Sequence, residues 1–88
     1  MSGDVTKLGA LKPGESAVVT RVACARPVAR RLMEMGLLPG TRVEVVRVAP
    51  LGDPLELRLR GFSLSIRKHE ALRVEVASCS SATETRSL

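Results

Sequence analysis

Two runs of alternating apolar residues on either side of Arg60-Gly61 constrain the fold of this chain more than any other feature. In Leu55 to Leu59 and in Phe62 to Ile66, every second residue is apolar. A two-residue turn at Arg60-Gly61 brings these residues into three facing pairs. The pairs are Leu55 with Ile66, Leu57 with Leu64, and Leu59 with Phe62. A slip of one residue would turn three large side chains toward water, so the sequence predicts a β-hairpin with one well-defined register.

Three further segments favour strands. Ala17 to Ala23 is rich in β-branched residues and follows a turn sequence, Lys12-Pro13-Gly14-Glu15. Arg42 to Val48 alternates charged and apolar residues until Val45-Val46, where the alternation slips by one residue and predicts a bulge. Leu72 to Val76 is predicted as the last strand. The sequence thus predicts five strands.

One segment has the periodicity of a helix. Between Arg26 and Met35, apolar residues recur at spacings of four and three, opposite the charged residues. Pro27 suits the first turn, and Gly36 suits the left-handed residue that closes a helix, with Leu37 folding back on the last turn. Arg67 to Ala71 is expected to add a single helical turn.

Length and composition limit the chain to one small domain. A domain of 88 residues buries only about 60 to 65% of the surface that its unfolded chain exposes. Hydrophobic residues make up 44% of the chain, but only one residue is aromatic, so the core must be aliphatic. The elements predict a mainly β fold, a small SH3-like five-stranded barrel with one short α-helix. Residues 1–77 form this domain, and residues 78–88, which are nearly devoid of apolar side chains, are expected to be a disordered tail.

Three motifs in sequence order closely resemble the FeoA family, the ferrous iron transport protein A domains. They are Arg30 to Thr41, Ala49 to Pro54 and Arg60 to Arg67, and the resemblance extends from about Leu8 to Val76. It implies an SH3-like cytosolic domain that assists FeoB, a membrane ferrous iron transporter with a G-protein domain. It also implies a relationship to the domain that ends iron-dependent transcriptional repressors, so a metal-linked regulatory domain is the alternative reading.

The residues themselves do not indicate an enzyme. The sequence contains no activated nucleophile, no paired acid and base, and no phosphate-binding loop, and a core this small leaves little room for a deep cleft. We therefore expect a noncatalytic accessory protein without a cofactor. The formal charge of +5 would attract phosphates, anionic lipid or an acidic protein face, although it also fits a requirement for solubility alone.

Metal binding is a weaker interpretation. His69, Glu70, Cys24 and Cys79 could donate ligands, but a tight transition-metal site needs three or four donors converging on one point. A lone histidine is more often a surface residue. We predict no native metal site and two reduced thiols.

A basic surface near the hairpin could attract nucleic acid. Arg58, Arg60, Arg67 and Lys68 supply the charge, but single-strand binders also stack bases on aromatic rings. The one ring here, Phe62, is expected to point into the core. A basic nucleic-acid-binding barrel therefore remains an alternative that rests on charge alone. Nucleic acid is not the partner that we expect. The absence of Trp and Tyr likewise argues against a polyproline-binding groove.

Apolar residues in turn segments predict a surface for a protein partner, rimmed by charged side chains. An alternative remains open, in which Leu37 completes the helix cap while Leu38 and Leu51 plug the barrel ends. The candidate residues are Arg30, Arg31, Leu37, Leu38, Pro50, Leu51, Gly52, Asp53 and Pro54.

The short apolar runs predict no membrane insertion, because a spanning helix needs about 20 apolar residues. The start, Met1-Ser2-Gly3-Asp4, lacks the basic and apolar regions of a secretory signal. We therefore expect a cytoplasmic protein whose partner is FeoB, and weak self-association is left open.

Overall fold

The computed structural model describes residues 5–78, which form six antiparallel strands, two α-helices and a 3-10 helix. The sheet order is β1-β6-β2-β3-β4-β5, so β1 and β5 lie at its edges. In chain order the elements are β1 Val5–Lys7, the 3-10 helix Leu8–Ala10, β2 Ser16–Val22, α1 Arg26–Glu34, β3 Arg42–Val48, β4 Leu55–Leu59, β5 Phe62–Ile66, α2 Lys68–Ala71 and β6 Val74–Ser78.

The β4–β5 hairpin has the predicted register. Leu55 lies opposite Ile66, Leu57 opposite Leu64, and Leu59 opposite Phe62. Arg60 and Gly61 both have positive φ angles, 51° and 87°, which is the type I′ turn that matches the twist of a two-residue hairpin. The prediction from apolar alternation is therefore confirmed.

Two bulges bend the neighbouring strands. The pairing of β3 with β4 shifts between Val45 and Arg47, which confirms the bulge predicted at Val45-Val46. A second shift, between Val19 and Arg21 in β2, was not predicted. It leaves Thr20 free to donate a hydrogen bond from its hydroxyl to the Glu75 carbonyl, at 3.1 Å. Bulges of this kind increase local twist and let a small sheet curve around its core.

The core is aliphatic, as composition predicted, and every β strand except β1 contributes to it. Phe62 lies on the inner face of β5 with Leu64 and Ile66, as its strand position predicted, but it is not buried in the core, because it is 45% exposed. Phe62 begins the edge strand β5, and no strand of residues 5–78 lies beyond it to cover the ring. The largest fully buried side chains are Leu8, Val19, Leu32, Leu37, Val43, Val45, Leu55, Leu57, Leu59, Val74 and Val76.

The helix α1 ends in the predicted way. Gly36 has a φ of 105°, its N–H donates to the Met33 carbonyl at 3.0 Å, and the Leu37 N–H donates to the Leu32 carbonyl at 3.0 Å. This pair of bonds is the Schellman motif, which satisfies carbonyls that a helix end otherwise leaves unpaired. It also turns the chain so that Leu37 returns to the core.

Three strand predictions need correction. The sheet has six strands rather than five, because β1 is only three residues long and too short to show alternation. The last strand begins at Val74, and Leu72 instead lies 43% exposed after α2. Ser78, assigned to the tail, pairs with Ala17 in the sheet. The rest of the predicted tail lies outside the described residues, so the domain boundary stays a prediction.

Candidate interaction surface

The two adjacent leucines after the end of α1 differ in burial. Leu37 is fully buried, whereas Leu38 is 45% exposed. The prediction that Leu37 belongs to a contact surface is therefore wrong, and its alternative role, completing the helix cap, agrees with the structure. Leu38 does not plug the barrel and presents about half of its side chain to solvent.

Hydrogen bonds to β2 fix the turn that carries Leu38. The Gly40 N–H donates to the Val19 carbonyl at 2.7 Å, and the Val19 N–H donates to the Thr41 carbonyl at 2.9 Å. The Thr41 N–H closes the turn on the Leu38 carbonyl at 2.9 Å. The position of Leu38 is thus set by the sheet rather than by a free loop.

Phe62 lies against the same helix end. A Cβ atom built on Gly36 would stand only 3.3 Å from Cζ of the Phe62 ring. The positive φ favours glycine at position 36, and a larger residue there would also have to displace the ring slightly. Phe62, which approaches Gly36, and Leu38, two residues after Gly36, are each 45% exposed, and we call these two side chains the helix-end site.

A separate loop, residues 49–54, presents Leu51 at its tip. The Gly52 N–H donates to the Ala49 carbonyl at 2.7 Å, and the Ala49 N–H donates to the Pro54 carbonyl at 3.1 Å. Leu51 is 96% exposed, so it does not plug the barrel, while Pro50 and Pro54 are also exposed. The loop therefore presents an almost fully exposed leucine on a backbone that is held by two hydrogen bonds.

Asp53 anchors this loop to α2. The Lys68 N–H donates to Asp53 Oδ1 at 2.9 Å. Arg67 Nη1 also lies 3.9 Å from Asp53 Oδ2. A carboxylate at this position satisfies the first N–H of α2, which no residue within the helix can accept.

The two predicted arginines differ in their contacts. Arg31 Nη2 donates to Glu70 Oε2 at 3.0 Å and so ties α1 to α2. Arg30 is exposed and forms no salt bridge within the part of the chain that the structure describes. Arg31 therefore has a structural role, while Arg30 remains free to contact a partner.

The structure does not bring the predicted contact residues into one patch. The helix-end site, which includes Phe62, lies at the turn of the β4–β5 hairpin, where Gly36 approaches Leu59 and Phe62. The loop with Leu51 connects to Leu55 and contacts Lys68, at the other end of the same hairpin. Four residue steps of about 3.3 Å separate these ends by roughly 13 Å. The candidate contact residues therefore lie in two separate places, and the prediction of one joined surface is wrong.

The basic residues are also dispersed. Arg58 lies opposite Glu44 on β3, Arg60 is in the hairpin turn, and Arg67 and Lys68 follow the far end of β5. Arg67 additionally faces Asp53. These four side chains do not form the continuous basic surface that charge alone suggested.

A shallow groove beside α2 contains the chemical groups considered as metal ligands. It has a volume of about 600 Å³ and is lined by Ala23, Cys24, Ala25, Val28, His69, Glu70 and Arg73. Among residues 5–78, no three His, Cys, Asp or Glu side chains are arranged to hold a metal ion. Cys79 lies outside the described residues, so its predicted state is untested.

Cys24 is a half-buried free thiol whose Sγ donates to the Glu70 carbonyl at 3.6 Å. Burial, and secondarily the Glu70 carboxylate, raise the pKa of this thiol above its ordinary value. Since only the thiolate is nucleophilic, Cys24 should react with iodoacetamide more slowly than free cysteine at pH 8. Rates measured against pH in a Cys79→Ser variant should give a midpoint above that of free cysteine, and a midpoint below it would contradict this assignment.

No helix in residues 5–78 has both the length and the apolar character needed to cross a bilayer.

An antiparallel sheet in this order, with a short helix packed on its core, defines a small β domain. Apolar side chains are exposed at the two ends of its β4–β5 hairpin. A model of the FeoA domain matches residues 6–78. The chain belongs to the FeoA family, which is involved in ferrous iron transport, and the resemblance drawn from three motifs is confirmed.

Two solved structures show how closely the fold is shared. The chain is similar to the FeoA protein of Chlorobium tepidum, at 44% identity and a TM-score of 0.82, over 85% of this chain and 71% of that one. It is also similar to Stenotrophomonas maltophilia FeoA complexed with zinc, a prokaryotic SH3 domain protein, at 35% identity and a TM-score of 0.71. That match covers 81% of this chain and 88% of the other, and the SH3-like prediction is confirmed.

A curated relative joins two proteins in one polypeptide. Over 75 residues the chain is 36% identical to an Fe(2+) transport protein A/Fe(2+) transporter FeoB fusion protein of Porphyromonas gingivalis. The match covers 85% of this chain and spans 9% of the length of that relative.

Proposed function

We propose that this chain is a noncatalytic cytosolic accessory domain that binds the ferrous iron transporter FeoB and modulates its activity. The observation that carries the proposal is the fusion of a similar domain to FeoB in Porphyromonas gingivalis. Covalent linkage turns a binding event into an intramolecular one and raises the effective concentration of one partner at the other. Such a linkage is advantageous when the two domains work in contact.

The distribution of side chains supports a role through contact. The interior is filled with aliphatic groups, while Leu38, Leu51 and Phe62 expose apolar surface. Leu38 and Leu51 lie on turns held by backbone hydrogen bonds, and Phe62 lies on β5, close to Gly36. Exposed apolar groups on rigid supports bind with little loss of conformational entropy. The helix-end site and the Leu51 loop can therefore engage a partner at two points.

Co-purification tests the proposal directly. A tagged form of the full chain should be retained with FeoB from the same organism in gentle detergent, and retention should be compared without nucleotide, with GDP and with a non-hydrolysable GTP analogue. We expect saturable binding in at least one of these states. Absence of binding in all three would contradict the proposed function.

A further inference from the structure

The outer side of the edge strand β5 pairs with no other strand of residues 5–78. The strand pairs only with β4, and within the same residues no other backbone hydrogen bond engages it. Natural sheets usually protect an edge with lysine, proline or a bulge. The sequence of β5, Phe-Ser-Leu-Ser-Ile, contains no charge and no proline, and its pairing with β4 is regular.

The register identifies which backbone groups are free. The two-residue turn at Arg60-Gly61 makes Leu59 and Phe62 a hydrogen-bonded pair. Because such pairs alternate along an antiparallel ladder, Leu64 and Ile66 also bond to β4. The N–H and C=O groups of Ser63 and Ser65 therefore point away from β4, and both serines are exposed.

The exposure of Phe62 has the same origin. Its side chain lies on the same face of β5 as Leu64 and Ile66, which are only 9% and 2% exposed. If another strand paired with β5, its inward-facing side chains would lie next to the Phe62 ring. The added strand would extend the core and cover apolar surface that now contacts water.

Charge at the two ends of β5 indicates which strand could fit. Arg60 precedes β5 and Lys68 follows it. An antiparallel pairing of two copies centred on Leu64 would set Arg60 of one copy against Lys68 of the other, and like charges in facing positions oppose each other. This edge is better matched by a segment in which apolar and uncharged polar residues alternate in the middle and carboxylates lie near the ends.

We propose that the free edge of β5 binds an extended, acidic-flanked segment of FeoB by strand addition. Main-chain hydrogen bonds to Ser63 and Ser65 supply the affinity. Specificity comes from an apolar side chain of the segment that covers Phe62 and from carboxylates that face the basic residues at the ends of β5. This inference rests on the proposed function and specifies how the partner is held.

Amide hydrogen exchange at single-residue resolution tests the inference, with the full chain alone and in complex with detergent-solubilised FeoB. We expect the amides of Ser63 and Ser65 to become at least about tenfold more protected, because they gain hydrogen bonds. The amides of Leu64 and Ile66, already bonded to β4, should change much less. Binding without protection of the two serines would overturn strand addition and leave the proposed function standing, whereas absence of binding would overturn both.

Two substitutions provide an independent test. Ser65→Pro removes an N–H that β4 does not use, so the hairpin should survive, as prolines do on edge strands. Its affinity for FeoB should fall at least about tenfold, through loss of one hydrogen bond and obstruction of the edge. Ser65→Thr, which keeps the N–H, should bind within about twofold of the parent chain. Equal binding by both variants would contradict the inference, and if Ser65→Pro does not fold, the exchange pattern decides.

Self-association is distinguished in the same measurements. If Ser63 and Ser65 become protected in the chain alone as its concentration rises, a second copy occupies the edge. That result would contradict an acidic-flanked segment of FeoB as the occupant.

Discussion

Replacing Leu37 with alanine is expected to lower the free energy of unfolding by about 2 to 5 kcal/mol, the usual cost of truncating a fully buried leucine. The same replacement at Leu38, which is 45% exposed, should cost about 1 kcal/mol or less. The contrast arises because the Schellman motif turns Leu37 into the core and leaves its neighbour outside. Urea unfolding of the two variants, fitted with a common m-value, measures both changes.

The adjacent leucines serve as each other's control. Their backbone segment and side-chain chemistry are the same, so a difference in stability reports burial alone. Equal losses at both positions would mean that the helix end does not separate them as described. A large loss at Leu38 with none at Leu37 would reverse the assignment of the contact surface.

Replacing Leu51 with glutamate should weaken binding to FeoB by more than about tenfold and leave unfolding unchanged. A side chain that is 96% exposed contributes little to the folded core, and surface substitutions usually change stability by less than about 0.5 kcal/mol. In a complex, however, the carboxylate would be buried against apolar surface, which is strongly unfavourable without a partner charge. Affinity measured by titration into detergent-solubilised FeoB tests the binding effect.

Val5→Glu is a suitable control for Leu51→Glu. Val5 is also apolar and 67% exposed, but it lies on β1, at the edge of the sheet opposite β5. This variant carries the same added charge and should bind FeoB normally. Equal weakening by both variants would show that net charge, rather than the Leu51 loop, controls binding.

Local patterns predicted the hairpin and the helix end because their structure is determined by residues close in sequence. Alternation on both sides of Arg60-Gly61 allowed one register. Gly36 readily adopts the positive φ angle that ends α1. Thr20 gave no such signal, since the bulge there depends on pairing with β6, more than fifty residues away in sequence.

The candidate site was harder to predict because it depends on tertiary placement. Leu38 and Leu51 are exposed, as their positions in turn segments predicted. No local pattern shows, however, that the length of the β4–β5 hairpin separates them. The role of Asp53 was missed for a similar reason, because its partner is the backbone of Lys68. The exposure of Phe62 followed from the sheet order, which places β5 at an edge.

Ferrous iron uptake by FeoB in proteoliposomes tests the central claim most directly. The chain should be added at saturating concentration on the side that carries the G-protein domain, with Leu51→Glu as the matched variant. We predict that the parent chain changes the initial rate of uptake and that the variant, at the same concentration, has little effect. An uptake rate that is the same with and without the parent chain would contradict the account.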